Sequence, residues 1–378
     1  MHIQSPQSRR IPGYDLARAV AVLGMVVVNY TSMLEISRFS PTWLESVVDF
    51  IYGRAAVVFV MLAGVSVTLM AQRRPAPTDL RMLSRCLFKR SLLLLLAGLA
   101  LWPWWAADIL HFYAVFIAVG ARAVTWRKER LIRLATAVLL VSLPVSAALT
   151  AAYDLNDVLF PGDRVYNAVL LLLDYFTSPY YSVFPWLGFF LVGLLLGRRE
   201  PADLSFWRRA CLIGVLGCLG LELVSGVAVA GAASRGWELE GIWWGAFLRS
   251  EAFPATPLFV ISSAFSAMAV IGFCRAVTFN TRRSWFGLNA LIACGRLSLS
   301  LYVAHIGWGI LFKKWIAGPE ADAESGELLL AAALFGIFSL LFAFVWFRHF
   351  QRGPLETLFH WLTHRSMPTL KRINPDVV

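Results

Sequence analysis

Charged residues are scarce in this chain. They make up 15% of its 378 residues, while hydrophobic residues make up 58%. A soluble domain has about 25% charged and about 45–50% apolar residues, and the mean hydropathy of +0.66 departs in the same direction. The composition therefore argues against a soluble enzyme and predicts a membrane protein that crosses the bilayer several times.

Motifs for metal and cofactor binding are also missing. The five cysteines have no CxxC spacing and lie within or beside hydrophobic runs, which argues against a zinc site and a disulfide scaffold. No Walker A loop, strand-linked GxGxxG, HExxH or GxSxG occurs. These absences argue against nucleotide hydrolysis, redox cofactors and hydrolases of the soluble type, and we expect no metal.

Hydrophobic runs long enough to span a bilayer, at roughly 20 residues each, occur ten times. They predict an all-α bundle of about ten transmembrane helices, at residues 12–35, 47–72, 86–103, 107–125, 131–152, 182–198, 209–232, 254–276, 287–312 and 326–347. A shorter apolar piece at 165–176 predicts a half-helix, a re-entrant turn or an interfacial segment. We expect residues 1–350 to form one membrane domain and residues 351–378 a cytoplasmic segment with an amphipathic helix over 354–364.

The net charge of +11 comes from basic residues clustered in short loops. If 165–176 does not cross, 26 of the lysines and arginines fall on one side of the membrane and 6 on the other. The basic side is normally cytoplasmic. This pattern predicts a protein of the cytoplasmic (inner) membrane with both termini in the cytoplasm, whose partner is the lipid bilayer and not nucleic acid.

The stretch WPWWAADILHFYAVF, residues 102–116, marks a membrane surface with three tryptophans and a proline. Asp108 and His111 follow at i and i+3 as the next hydrophobic run begins, so one helical turn places them on one face. Ionisable groups at membrane depth are costly, and each is therefore a candidate for function.

Other spans carry polar or aromatic side chains that the predicted topology places at two depths. Those expected toward the outside are Asn29, Asp49, Arg54, Asp108, His111, Trp186 and His305, and those expected nearer the cytoplasm are Arg18 and Arg296. Tyr302 shares a helix face with His305. Such an arrangement suits chemistry between an anionic cytoplasmic donor and an acceptor reached from outside. Structural roles are the alternatives: a helix cap for Asp108, an interfacial position for His111, an interhelical hydrogen bond for Asn29, and ion pairs for Asp15–Arg18 and Asp49–Arg54.

Five phrases occur together in an order typical of one family: RIPGYDLARAVAVLGMVVVNY at 10–30, GRAAVVFVMLAGVS at 53–66, DILHFYAV at 108–115, FPWLGFFLVGLLLGR at 184–198 and GRLSLSLYVAHI at 295–306. Over residues 9–350 the chain resembles the YeiB-like bacterial membrane proteins. These are relatives of heparan-alpha-glucosaminide N-acetyltransferase within the transmembrane acyltransferase superfamily.

The resemblance implies a bundle of about ten or eleven helices that transfers an acyl group from cytoplasmic acyl-CoA to a hydroxyl or amine acceptor on the far side. Asn29 matches an asparagine in the first span of the lysosomal enzyme. That enzyme has its proposed catalytic histidine in the loop before the second span, whereas RFSPTWLESVVDF at 38–50 keeps Trp43 and has no histidine. If this protein is an enzyme, His111 or His305 must supply the base instead.

Under this interpretation each candidate residue has an expected role. A histidine is the natural base for an acceptor near neutral pH, and Asp108 would orient His111. His305 would be a second base or an acceptor contact, and Asn29 would donate to the thioester oxygen. Arginine binds phosphate in a bidentate manner, so Arg18 and Arg296 are expected on the phosphates of CoA. The expected substrate contacts are Asp49, Arg54, Trp186 and Tyr302.

Two alternatives stay open beside the acyltransferase. One is a transporter or lipid-handling protein of the same fold without CoA chemistry. The other is an inactive relative, which the missing loop histidine keeps in consideration. The acceptor, a small molecule or a glycan, is not readable from the residues, and homo-oligomer formation also stays open.

Overall fold

The computed structural model describes residues 10–36, 39–73, 77–159, 181–237, 244–279, 286–314 and 324–363. Within these ranges the chain is helical, and the one β-type contact is an isolated bridge between Ala252 and Ala255. The all-α fold class is therefore confirmed. The predicted short segment at 165–176 lies outside the described residues.

The described helices, numbered in chain order, cover most of the hydrophobic runs. They are α1 (Pro12–Met33), α2 (Thr42–Ile51), α3 (Arg54–Gln72), α4 (Pro77–Leu101), α5 (Leu110–Ala123), α6 (Lys128–Leu159), α7 (Val183–Leu196), α8 (Leu204–Ala233), α9 (Pro257–Phe279), α10 (Phe286–Arg296), α11 (Ser298–Phe312), α12 (Ser325–His349) and α13 (Pro354–Thr363), with a 3-10 turn at Gly245–Phe247.

Each of the ten predicted spans overlaps at least one of these helices. By length and composition, five helical stretches in the described ranges are apolar enough to cross a membrane, or six if α10 and α11 form one span. The helices α5 and α7 are apolar but shorter. The structure thus supports a membrane protein, while the count of ten spans stays a prediction.

Two spans that were predicted as continuous helices are broken. The second divides into α2 and α3 at Tyr52 and Gly53, where Gly53 has a φ of 69°. Glycine takes this left-handed conformation without a steric penalty. The ninth divides at Leu297 into α10 and α11, which are bent by 86°. An apolar residue at the bend keeps the hydrophobic run continuous, so hydropathy did not reveal the break.

The amphipathic helix predicted over 354–364 is present as α13. Phe359 is buried, whereas Leu358 and Leu362 are exposed. The exposed apolar side chains are those expected of a helix lying at a membrane surface.

The chain divides into two compact units. The first contains Met1–Phe59, Glu200–Arg208 and Ile271–Val378. Here α1 packs against α10, α11 and α12, and α13 packs against α11. A Cβ at Gly295 would collide with the carbonyl oxygen of Asp15, so only glycine allows α10 to approach α1 this closely.

The second unit contains Val60–Arg199 and Arg209–Val270. Its main contacts join α4 to α5, α6 to α7, and α5 to α7. A Cβ at Gly193 would collide with the carbonyl oxygen of Met61, and one at Gly197 would lie 2.9 Å from the side chain of Thr68. The two glycines therefore allow close packing of α7 on the second half of α3. The single domain expected over residues 1–350 stays a prediction.

Candidate functional site

In the second unit, Asp108 and His111 form a buried pair at the start of α5. Asp108 is 0% exposed and His111 6% exposed. Asp108 Oδ2 accepts hydrogen bonds from the backbone N–H of Leu110 at 2.9 Å and of His111 at 3.4 Å. The same oxygen lies 3.3 Å from Nδ1 of His111. The carboxylate therefore caps the helix and also contacts the imidazole, so the cap and the predicted Asp108–His111 contact occur together, while a catalytic role stays a prediction.

The end of α4 creates the space for this pair. A Cβ at Gly98 would lie 2.5 Å from the backbone nitrogen of His111 and 2.7 Å from Oδ2 of Asp108. Real Cβ atoms do not approach this closely, so glycine at this position lets the first turn of α5 rest on α4. Trp102, which begins the predicted surface belt, lies with its ring centroid 6.3 Å from the imidazole.

The geometry of the pair selects a tautomer. A carboxylate accepts and does not donate, so Nδ1 of His111 carries the proton that faces Asp108. Nε2 then carries the lone pair. A buried carboxylate that holds a neutral imidazole in this way also stabilises the imidazolium that forms when Nε2 takes up a proton. The pair has the local chemistry of a general base.

An aromatic group connects this pair to Trp186 on α7. The ring of His111 lies 4.1 Å from that of Phe112, and Phe112 lies 6.2 Å from Tyr181. Tyr181 in turn meets Trp186 edge to face at 4.8 Å. Trp186 is fully buried and also stacks on Phe253. The structure thus places the predicted substrate contact Trp186 two aromatic rings away from the imidazole, within the same unit.

In the first unit, His305 on α11 meets Asn29 on α1. Their side chains lie 2.9 Å apart, between Nδ2 of Asn29 and Nε2 of His305. Nδ1 of His305 donates to the backbone carbonyl of Tyr302. Since that bond requires the proton on Nδ1, Nε2 has only its lone pair and accepts a hydrogen from the Asn29 amide. The lone pair that a general base needs is occupied.

Buried rings enclose His305, which is 0% exposed. Tyr302 lies one turn earlier with its ring 5.0 Å away, and Tyr30 and Phe335 lie at 6.3 and 6.4 Å. The hydroxyl of Tyr30 donates to the carbonyl of His305 at 3.2 Å. Sequence reasoning did not select Tyr30; its position beside Asn29 was the one available signal. The hydroxyl fixes the backbone that carries the imidazole.

The predicted phosphate ligands also belong to the first unit. Arg18 pairs with Asp15 at i and i+3 in the first turns of α1, as the ion-pair alternative predicts. Arg296 donates to the carbonyl of Gln351 at 3.1 Å, and its guanidinium lies 3.7 Å from the centre of the Phe347 ring. Both cations therefore have local structural partners.

Asp49 and Arg54, the second proposed ion pair, differ in their exposure to solvent. Arg54 is buried, donates to the carbonyl of Phe50 at 2.8 Å and lies 4.6 Å from the centre of that ring. Asp49 is exposed on α2. The turn at Gly53 lies between the two residues and directs Arg54 back onto α2. A substrate role for either stays a prediction.

Glu222 in the middle of α8 is a carboxylate for which the sequence offered no partner. The structure supplies two, because the hydroxyls of Ser250, at 2.8 Å, and Ser262 both donate to its Oε1. Within the described ranges, no group of three or more His, Cys, Asp or Glu side chains is arranged to hold a metal ion.

These observations define an all-helical membrane protein with buried histidine clusters. Its family then follows from comparison with known proteins. The family model described as heparan-alpha-glucosaminide N-acetyltransferase, catalytic, matches residues 10–220, more than half of the chain. The protein belongs to this acyltransferase-like family, and the family resemblance predicted from the five phrases is confirmed.

A second family model, described as protein of unknown function (DUF418), matches residues 199–366. Asn29, Asp108 and His111 thus lie in the part matched by the catalytic model, and Arg296, Tyr302 and His305 in the part matched by the second. Searches of curated proteins and of solved structures found no match to this chain.

Proposed function

We propose that this protein is a membrane acyltransferase that passes an acyl group, such as acetyl, from cytoplasmic acyl-CoA to a hydroxyl or amine acceptor on the outer side. One observation supports this proposal more strongly than the rest. The buried Asp108–His111 pair, which has the chemistry of a general base, lies inside the region matched by the catalytic family model.

His111 is the base in this proposal. Its Nε2 takes the proton from the acceptor hydroxyl or amine as the acceptor attacks the thioester carbonyl carbon. The tetrahedral intermediate then collapses, the carbon–sulfur bond breaks, and the CoA thiolate leaves with the proton that the imidazolium returns. Asp108 holds Nδ1–H throughout and stabilises the imidazolium between these two steps.

His305 has a different role, that of a positioning residue for Asn29. Because its Nε2 accepts one hydrogen of the Asn29 amide, it sets the plane of that amide. The second N–H of Asn29 then has a defined direction and can donate to an acyl oxygen that gains negative charge. The proposal thus gives different roles to the two histidines that the sequence left as candidate bases.

The phosphates of the donor are assigned to arginines at one end of the first unit. Arg10 lies close enough to Arg296 and to Arg352 to repel each of them. Burial lowers the pKa of Arg352, and the positive charge of Arg10 lowers it further. A crowded set of guanidiniums fits an anionic group that neutralises it, as the diphosphate of CoA does. Arg18 is assigned to the same group.

The test uses the purified full-length protein and radiolabelled acetyl-CoA with a panel of amines and sugars. Labelled product and free CoA thiol should appear in equal amounts, and CoA should raise the thermal unfolding temperature. His111→Ala should abolish transfer, while His349→Ala, at an exposed position on α12, should leave it unchanged.

Absence of both transfer and a CoA-induced thermal shift, with longer acyl-CoA donors included, would overturn the proposal. A transporter without CoA chemistry would instead give substrate flux that survives the loss of His111.

A further inference from the structure

The break between α10 and α11 creates a new helix start, whose first backbone N–H groups need hydrogen-bond acceptors. The helices meet at Leu297 with a bend of 86°. A helix that starts there has backbone N–H groups without partners in its own first turn. Where no water reaches the chain, each such group must find a protein acceptor. The start of α11 therefore needs a cap.

Glu356 on α13 supplies this cap from 56 residues away. Its Oε1 accepts from the backbone N–H of Leu299 at 2.9 Å and of Ser300 at 3.2 Å. Its Oε2 accepts from the Ser300 hydroxyl at 2.5 Å. The hydroxyl oxygen accepts in turn from the backbone N–H of Leu355 at 3.1 Å. The two helix starts thus bind each other through four hydrogen bonds, and a carboxylate is the favoured charge at a helix N-terminus.

The connection into α13 is shaped for this contact. A Cβ at Gly353 would collide with the Glu356 carboxylate and lie 2.7 Å from the side chain of Leu297 at the bend. Arg296, the last residue of α10, donates to the carbonyl of Gln351 in the same connection. Both sides of the break are therefore attached to the segment that leads into the C-terminal helix.

The first turns of α11 carry the histidine cluster. Tyr302, whose carbonyl accepts the Nδ1 proton of His305, lies two residues beyond Ser300. His305 lies one turn further along the same helix and meets Asn29 at 2.9 Å. Fraying of α11 as far as Tyr302 would release its carbonyl from Nδ1, and a shift of the whole helix would disturb the contact of His305 with Asn29.

We infer that Glu356 is a positioning residue, which holds the start of α11 so that His305 stays locked between Tyr302 and Asn29. The catalytic consequence rests on the proposed function, while the structural one does not. The C-terminal surface helix thereby acts as a clamp on the buried cluster. The amphipathic pattern of α13 predicts only a position at the membrane surface and gives no sign of this role.

The test measures the reactivity of His305 directly. Diethyl pyrocarbonate modifies unprotonated imidazole nitrogens, and mass spectrometry of the full-length protein after digestion locates the modified histidines. In the wild type, His305 should react slowly because it is buried and its Nε2 is hydrogen-bonded. In Glu356→Ala the rate should rise by about tenfold, the scale expected when a helix loses its N-cap.

Two variants serve as matched controls. Glu356→Gln keeps an acceptor oxygen for the two N–H groups and should restore most of the protection of His305. Glu327→Ala removes a different glutamate cap, the one that accepts from the backbone N–H of Glu324 at the start of α12. It should leave the reactivity of His305 unchanged.

The buried His111 reports on global unfolding in every variant. If His111 and His305 gain reactivity together in Glu356→Ala, that variant has unfolded. The reactivity of His305 in Glu356→Gln is then compared with that in the wild type, because glutamine has nearly the same shape as glutamate. Protection of His305 in Glu356→Ala equal to that of the wild type, or equal exposure in Glu356→Gln and Glu356→Ala, overturns the inference.

The reactivity assay is independent of acyl transfer, so the clamp and the proposed function fail separately. If the protein transfers acyl groups, Glu356→Ala should lower kcat more than it raises KM for the acyl donor, because the clamp positions a side chain and does not touch CoA. If no transfer is found, the change in His305 reactivity still tests the clamp.

Discussion

The two buried histidines of this protein have partners of opposite chemistry. His111 faces the Asp108 carboxylate through Nδ1, so the proton of the neutral imidazole lies on that nitrogen. His305 gives its Nδ1 proton to a backbone carbonyl and fills its Nε2 lone pair with a hydrogen from Asn29. The first arrangement stabilises an imidazolium, whereas the partners of His305 in the described part of the chain are an amide and a carbonyl. Both side chains are buried histidines, so the partners of their ring nitrogens are what distinguishes them.

The largest expected effect is the loss of the base. His111→Ala should lower the acyl-transfer rate by up to about 10⁴-fold, the upper range for removal of a positioned general base. His111→Gln should be as inactive, since an amide does not take up the proton. Single-turnover kinetics with labelled acetyl-CoA measure both. Activity of His111→Gln near that of the wild type would assign the base elsewhere.

A smaller effect is expected at Asn29, where a hydrogen-bond donor is lost. Asn29→Ala should lower kcat by about 10²-fold, as removal of one oxyanion donor does. If His305 acts through Asn29, the double variant Asn29→Ala/His305→Ala should be no slower than Asn29→Ala alone. Multiplicative losses in this double-mutant cycle would show that His305 has chemistry of its own and would remove the contrast between the two histidines.

A weaker binding of the acyl donor is expected when Arg296 in the first unit is replaced. Arg296→Gln should raise KM for acetyl-CoA by about tenfold and leave kcat nearly unchanged, the cost of one charge-assisted hydrogen bond. Arg235→Gln, in the exposed turn after α8, is the matched control and should change neither constant. A fall in kcat without a change in KM would place Arg296 outside the donor site.

The smallest effects concern packing around the two histidine clusters. Gly98→Ala drives a methyl group into the backbone of His111, which cannot move aside, and should cost about 2–3 kcal/mol of unfolding free energy. Gly309→Ala, beside Tyr30, first meets the flexible thioether of Met33 at 2.5 Å and should cost about 1 kcal/mol.

Gly220→Ala in α8 serves as the reference for both glycine variants. A Cβ there meets nothing within 4 Å, so helix propensity alone should make the variant neutral or slightly more stable. Thermal unfolding in one detergent ranks the three variants. Equal costs for Gly98→Ala and Gly309→Ala would show that the two clusters are packed alike.

The sequence anticipated one of the two clusters better than the other. Asp108 and His111 are three residues apart, so helical spacing alone predicted their contact. Asn29 and His305 are separated by 276 residues, and no local pattern relates them. Both were selected because polar groups are rare in apolar spans, and Asn29 also because of the family resemblance. Their tautomers, and hence their roles, depend on the partners of both ring nitrogens, which spacing does not specify.

By itself the sequence determined the membrane class, the all-α fold and the family. Each of these follows from local hydrophobicity or from short phrases in a characteristic order, because a helix forms from residues within a few turns of one another. Tertiary structure alone decided the bend at Leu297, the cap that Glu356 gives to α11 and the pairing of Asn29 with His305. These features join segments far apart in the chain, and buried N–H groups and lone pairs are satisfied by whichever atoms packing brings near.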